Sequence, residues 1–140
     1  MIEPATTPRT SGRTNIAYTQ AGEQAARRLV DQFPFAGLQD VARVATAFAL
    51  RENFSLDRPE DFGSANGSNA HVGSIDPQGE LKDLLLALHP EIDDDPYRVI
   101  ETLMSVGAIE LDRRVAAGQI LSLRDLIGQS DTPGVTTTSQ

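Results

Sequence analysis

The chain has 140 residues, of which 39% are hydrophobic and 23% charged, and its formal net charge is −8. This length favours one domain with a modest core. The sequence contains no cysteine, which excludes disulfides, thiolate nucleophiles and cysteine-ligated metal centres. No apolar run reaches the length of a membrane span, and the first residues lack the apolar core of a signal peptide, so we expect a cytoplasmic protein.

The charge is divided unevenly along the chain. Residues 1–51 carry six Arg and four acidic residues, a net charge of +2. Residues 52–140 carry six cations and sixteen acidic residues, a net charge of −10. If the protein binds a polyanion, its first third is the candidate surface.

The N-terminal residues predict a disordered arm followed by a short strand. Residues 1–13 combine Pro, Thr, Ser and Gly without any periodicity. Over 14–19, apolar and polar residues alternate with the period of a half-buried strand. We expect Ile16 and Tyr18 to point inward, and the outward residues to be Arg13, Asn15, Ala17 and Thr19.

Two amphipathic helices are predicted after this strand. Apolar residues recur at helical spacing over 20–33, which places Arg27, Arg28 and Asp31 on the outer face, and Thr19 fits the N-cap position. Pro34 and Gly37 end that helix. The second helix, over 38–53, has few polar residues and is expected to be mostly buried.

The second half of the chain predicts a long loop and two more helices. Residues 57–79 are rich in Gly and Pro, which is typical of a mobile loop. Helices are expected over 79–88 and 96–117, the latter capped by Asp95 with Pro96 in its first turn. A last short turn is expected at 122–127, and residues 129–140 are expected to be a disordered tail. The predicted fold class is therefore mainly α: one compact helical domain over 14–128 with a short N-terminal strand.

The sequence offers little for catalysis. His71 and His89 lack companion ligands at metal-binding spacing. No Gly-x-Ser-x-Gly motif is present, and the glycines between 63 and 73 match no phosphate-binding loop. We therefore expect a non-enzymatic protein without a catalytic residue, a metal site or a cofactor.

The order of elements over 14–53 is more informative. Strand, helix, turn and helix is the order of a ribbon-helix-helix unit, in which the strand pairs with its copy from a second subunit and the resulting ribbon can enter a DNA groove. Together with the basic first third, this order predicts a set of DNA-binding residues, namely Arg9, Arg13, Asn15, Arg27, Arg28 and Arg43. The alternative is that these cations only keep the surface soluble.

Several short motifs follow one another from Asn15 to Ile127. They are Asn15-Ile16 before Thr19, Leu29 with Phe33, Gly37-Leu38 with 41–45 and 48–50, Gly79-Glu80 with 84–88, and then 107–111 and 122–126. The order and spacing of these motifs resemble the DndE family of DNA sulfur modification (phosphorothioation) systems.

The resemblance implies a small, mainly helical, non-enzymatic subunit that self-associates, with a tetramer favoured. It implies a role in bacterial defence by restriction–modification, beside a cysteine desulfurase, a sulfurtransferase-like iron–sulfur protein and an SMC-like ATPase. These partners replace a non-bridging phosphate oxygen of DNA by sulfur. Members of the family are associated with binding duplex or nicked DNA through surface lysines. This chain has a single lysine, Lys82, so its arginines would make such contacts.

Three functions therefore remain open from the sequence. The first is a DndE-like accessory subunit that contacts DNA weakly. The second is a ribbon-helix-helix regulator or antitoxin with an acidic half that binds a partner protein. The third is a protein-interaction scaffold that makes no contact with nucleic acid. Sequence-blind, salt-sensitive DNA binding favours the first function, and strong sequence preference favours the second.

Overall fold

A computed structural model describes residues 14–92, 95–120 and 122. In chain order its elements are β1 (Asn15–Ala17), α1 (Gln20–Gln32), α2 (Leu38–Arg51), β2 (Asn69–His71), α3 (Val72–Ile75), α4 (Glu80–Leu88) and α5 (Pro96–Ala116). The described chain is mainly helical, as predicted, with a two-stranded antiparallel sheet near its N-terminal end. The predicted arm at 1–13, all but Ser122 of the predicted turn at 122–127, and the tail at 129–140 lie outside the described residues.

Helix α5 lies at the centre of the fold, packed against α1, α2 and α4. Most of its apolar residues, such as Leu103, are buried, whereas Ile109 is 41% exposed. Two close contacts of α5, one with α2 and one with α1, depend on glycine. A Cβ atom on Gly107 would lie 2.4 Å from the carbonyl oxygen of Ala45 in α2, and one on Gly22 in α1 would lie 2.5 Å from the hydroxyl oxygen of Ser105.

The predicted helix starts are confirmed. The Thr19 hydroxyl accepts a hydrogen bond from the N–H of Gly22 at 2.9 Å and caps α1. The carboxylate of Asp95 accepts from the N–H of Tyr97 at 3.1 Å and caps α5, whose first residue is Pro96. These caps satisfy backbone donors that a helix leaves unpaired in its first turn.

The partner of strand β1 differs from the prediction. One edge of β1 pairs with β2 of the same chain. The other edge faces α5, where the N–H of Ala17 donates to the carboxylate of Glu101 at 2.9 Å and the N–H of Thr19 donates to the hydroxyl of Ser105 at 3.0 Å. One edge of β1 is therefore paired with β2 and the other is covered by α5. The strand partner expected for a ribbon-helix-helix unit, a second copy of β1, is replaced in this structure by β2 of the same chain.

The side-chain pattern of β1 is partly as predicted. Ile16 and Tyr18 are buried and Asn15 is exposed, as expected. Ala17 and Thr19 were expected to face outward, but they are only 8% and 4% exposed. They are buried because α5 packs against β1 on the side that the alternation assigned to solvent.

The predicted loop over 57–79 contains secondary structure. It includes β2 and α3, and it ends where α4 begins. The buried carboxylate of Asp76 sets that start, because it accepts hydrogen bonds from the N–H groups of Leu81 and Lys82 and from the hydroxyl of Tyr97. Gly79 stands at the N-cap without a side chain to do so. The predicted loop therefore contains two short elements that the sequence did not indicate. The strand was missed because Asn-Ala-His has no alternation of apolar and polar residues.

Candidate nucleic-acid interface

Two neighbouring arginines project from α1. The side chains of Arg27 and Arg28 are 60% and 56% exposed, in agreement with their predicted place on the outer face of this helix. Arg27 forms an ion pair with Glu23 one turn earlier, at 2.6 Å. Arg28 reaches across to Asp112 of α5, at 2.8 Å. Each exposed cation is therefore already matched by a carboxylate of the same chain.

The carboxylate that pairs with Arg27 also holds the chain that leads into β2. One oxygen of Glu23 accepts from Arg27, and the other accepts from the backbone N–H of Ser68 at 2.6 Å. These hydrogen bonds, first that from Ser68 and then that from Arg27, lower the pKa of Glu23. Glu23 thus stays ionised and links α1 to the sheet.

The other described candidates lie elsewhere. Arg43 is on α2, where it pairs with Asp40 at 3.2 Å and donates to the carbonyl oxygen of Ile75 at 3.0 Å. Its guanidinium group therefore joins α2 to α3. Asn15 is exposed on β1. Arg9 and Arg13 fall outside the described residues.

These pairings define what the surface of α1 can do. A DNA phosphate would have to replace a carboxylate as the partner of Arg27 or Arg28. The arginines are exposed, but the side chains of Glu23 and Asp112 are only 18% and 15% exposed. Exchange therefore costs more than at a fully exposed ion pair, which contributes at most about 1 kcal/mol. The displaced carboxylates of Glu23 and Asp112 would remain close to the phosphate and repel it. The arrangement suits weak contacts that salt screens easily.

A cleft of about 380 Å³ lies between the sheet and the start of α2. Its floor includes the buried residues Ile16 and Met104, and the Asp40–Arg43 ion pair lies at its rim. The Tyr18 hydroxyl donates to the carbonyl oxygen of Leu38 at 2.7 Å, and its burial raises its pKa. The volume is within the range of small-molecule sites.

Sequence reasoning missed a cluster of polar side chains, three on α5 and one beside it, that is mostly buried. We call Arg58, Glu101, Thr102 and Ser105 the polar seam. The carboxylate of Glu101, with its side chain 3% exposed, accepts from Arg58 at 2.8 Å, and Arg58 also donates to the Thr102 hydroxyl at 2.7 Å. The guanidinium group lies 4.5 Å from the centre of the Phe62 ring. The sequence signal was a Glu and a Ser four residues apart on an otherwise apolar helix.

Other chemical groups are sparse in the part of the chain that the structure describes. No three His, Cys, Asp or Glu side chains there are placed to hold a metal ion. His71 accepts a hydrogen bond from the N–H of Gly73, and His89 contacts Glu91. None of the described helices is long and apolar enough to cross a membrane.

Comparisons of the chain with protein families, curated proteins and solved structures found no match.

Proposed function

We propose that this chain is a non-enzymatic, self-associating accessory subunit of a DNA phosphorothioation complex. It acts as a scaffold for the sulfur-modification proteins and contacts duplex or nicked DNA weakly through α1. Its helical fold agrees with the expectation from the DndE resemblance. The observation that carries the DNA contact is the pair of exposed guanidinium groups of Arg27 and Arg28.

The packing supports treating the resembling motifs as one unit. Ala45 and Gly107 belong to two motifs more than sixty positions apart in the numbering, and they lie so close that a Cβ atom on Gly107 would meet the carbonyl oxygen of Ala45. Leu29 and Leu85, from two further motifs, are fully buried in the same core. Motifs that are collinear in the sequence therefore meet in one packed core, as expected for residues that define a fold.

Electrostatics set the strength of the proposed DNA contact. Two arginines on one helix can contact neighbouring phosphates, and each contact releases condensed counterions, so the salt slope changes by about 0.9 per phosphate. The net charge of −8 opposes this binding at long range. We therefore expect sequence-blind binding at low salt that disappears near physiological salt.

The test is fluorescence anisotropy with labelled intact and nicked duplexes of random sequence, titrated from about 50 to about 200 mM salt. The variant is Arg27→Glu/Arg28→Glu. Its matched control is Arg51→Glu/Arg98→Glu, which changes two exposed arginines on α2 and α5. Each Arg→Glu change adds −2, so both variants carry −8 − 4 = −12.

We expect the α1 variant to lose binding and the control to retain most of it. Equal loss in both variants would mean that net charge alone governs binding, and retained binding in the α1 variant would contradict the assignment to α1.

A second function is favoured by the ion pairs themselves. Because Arg27, Arg28 and Arg43 all have carboxylate partners within 3.2 Å, a scaffold without any DNA contact is the competing proposal. The absence of binding by the wild-type chain at the lowest salt would favour it. The acidic surface would then serve to bind a basic partner protein.

A further inference from the structure

The two edges of the sheet are in different states. In β1 the N–H of Ala17 points away from β2 and donates to Glu101 of α5, and just beyond the strand the N–H of Thr19 donates to Ser105. The residues of β2 and its flanks whose backbone groups face β1 are Ser68, Ala70 and Val72. The N–H of Tyr18 donates to the C=O of Ser68, the N–H of Val72 donates to the C=O of Thr14, and Ala70 lies opposite Ile16. By alternation, the N–H and C=O groups of Asn69 and His71 point to the opposite edge. Both residues are exposed, and no backbone partner of the Asn69 groups or of the His71 N–H is found among the described residues. The C=O of His71, the N-cap of α3, accepts the first hydrogen bond of that helix.

This open edge is complementary to itself. If two copies of β2 run antiparallel about a twofold axis through Ala70, then Asn69 of each copy lies opposite His71 of the other. Residues opposite each other whose backbone groups point inward exchange two hydrogen bonds, so the pairing gains up to about four. Two of these would be second hydrogen bonds on the His71 C=O groups, which also accept within α3. Such an interface is isologous and closes on itself, as most homodimer interfaces do. The result would be a continuous four-stranded sheet in the order β1-β2-β2-β1.

The charge pattern also favours a second copy on this edge. Two molecules that each carry −8 repel one another wherever their acidic surfaces meet. The longest stretch of the chain without Asp, Glu, Lys or Arg lies between Asp61 and Asp76, and β2 is in the middle of it. Copies that meet along β2 bring this uncharged segment together and keep the acidic helices apart.

We propose that the outer edge of β2 is the surface through which two copies of this chain associate. The proposal rests on the self-association contained in the proposed function and assigns it to named backbone groups. It replaces β1, whose edges are paired with β2 and covered by α5, by β2 as the strand that crosses the interface. Ala70, which lines the cleft beside the sheet, would lie on the twofold axis.

The absence of cysteine provides a direct test. At the axis, the two copies of residue 70 form a non-hydrogen-bonded pair with Cα atoms about 4.5 Å apart, which is within disulfide range. The Ala70→Cys variant should therefore form a disulfide-linked dimer under mild oxidation. The matched control is Asn15→Cys, an exposed position in β1. Its copies would lie three strand spacings apart, about 14 Å, which is too far to link.

A second variant tests the hydrogen bonds themselves. Asn69→Pro removes an N–H that points away from β1, so the pairing inside the chain is kept, whereas Asn69→Thr keeps the donor. Circular dichroism checks that each variant is folded, and sedimentation velocity gives its mass. We expect the Asn69→Pro variant to sediment as a smaller oligomer than the wild type, and the Asn69→Thr variant to have the same mass as the wild-type oligomer.

The outcomes separate this proposal from the function. If Ala70→Cys links no faster than Asn15→Cys while the wild type is still an oligomer, the β2 edge is wrong and self-association stands. If the wild type is a monomer and Ala70→Cys does not link, both the edge and the oligomeric scaffold are wrong, and the edge is left for an extended segment of another protein. If linking succeeds but no duplex binds, the edge stands and the DNA contact fails.

Discussion

Helix α5 is buried in two chemically different ways. Against α2 its surface is apolar and close, with Gly107 pressed on the backbone of Ala45. Against β1 and the chain near Arg58 it is polar, and Glu101 and Ser105 hold backbone N–H groups of the strand. The first region is stabilised by burial and shape. The second depends on every donor keeping its acceptor, since an unpaired buried polar group is costly.

The difference between the two regions shows which contacts fix the position of β1. Apolar packing brings the helices together and would tolerate a small shift of a neighbouring strand. The polar seam does not, because Glu101 serves Ala17 and Arg58 at once. We infer that the polar seam fixes β1 and thereby β2, whose outer edge is the proposed interface.

The largest expected effect comes from the apolar region. Gly107→Ala places a Cβ atom 2.4 Å from a backbone oxygen that cannot move without separating α2 from α5. Because a backbone oxygen cannot give way as a side chain does, we expect a loss at the upper end of overpacking costs, about 3 kcal/mol or more in the free energy of unfolding, measured in urea. Gly37→Ala is the control, since a Cβ there meets nothing within 4 Å. Equal stability of the two variants would show that the helix crossing is looser than described.

The polar seam gives the second prediction. Glu101→Ala leaves the N–H of Ala17 and the guanidinium of Arg58 without this acceptor, and breaking a buried pair costs about 3 kcal/mol or more. Arg58 is 23% exposed, so water recovers part of its hydration and we expect about 2–3 kcal/mol.

The control for this prediction is the double variant Glu101→Ala/Arg58→Ala. Its loss of stability should be less than the sum of the two single losses, because the two side chains act on each other. Strict additivity would mean that the buried ion pair contributes nothing.

The smallest expected effect concerns pH. The hydrogen bond from Arg113, helped by Arg114, lowers the pKa of Glu110 to about 2 from its ordinary value of 4.5. A carboxyl group with a lower pKa in the folded chain stabilises it fully above the unfolded pKa, and this contribution is lost as the pH falls from about 4.5 towards about 2. The difference in urea stability between wild type and Glu110→Gln should therefore shrink over that interval. A constant difference would show that the charge of Glu110 is not involved.

Periodic apolar patterns predicted most of the helices. The starts of α1 and α5 were correct because Thr19, Asp95 and Pro96 act through local backbone chemistry that is visible in the sequence. The sheet was not predictable in the same way. Strand β2 lies more than fifty positions after β1, and its three residues, Asn-Ala-His, carry no strand pattern.

The candidate site likewise has features that the sequence predicts and features that it does not. The exposure of Arg27 and Arg28 followed from the helical face they occupy. Their ion pairs differ in origin. The pair of Arg27 with Glu23 is a local contact within α1, whereas the pair of Arg28 with Asp112 depends on how α1 crosses α5. The buried position of Glu101 was equally invisible, because a single acidic residue in an amphipathic helix is ordinarily exposed. Long-range contacts therefore set the electrostatics of the site, and local patterns set its location.

The most direct test of the proposed function is sedimentation velocity of the wild-type chain with a labelled nicked duplex at low and at physiological salt. The account predicts a protein species heavier than the 15.1 kDa monomer at both salt concentrations, and a duplex that sediments with it only at low salt. A monomer that leaves the duplex unshifted at low salt would contradict both the self-association and the DNA contact.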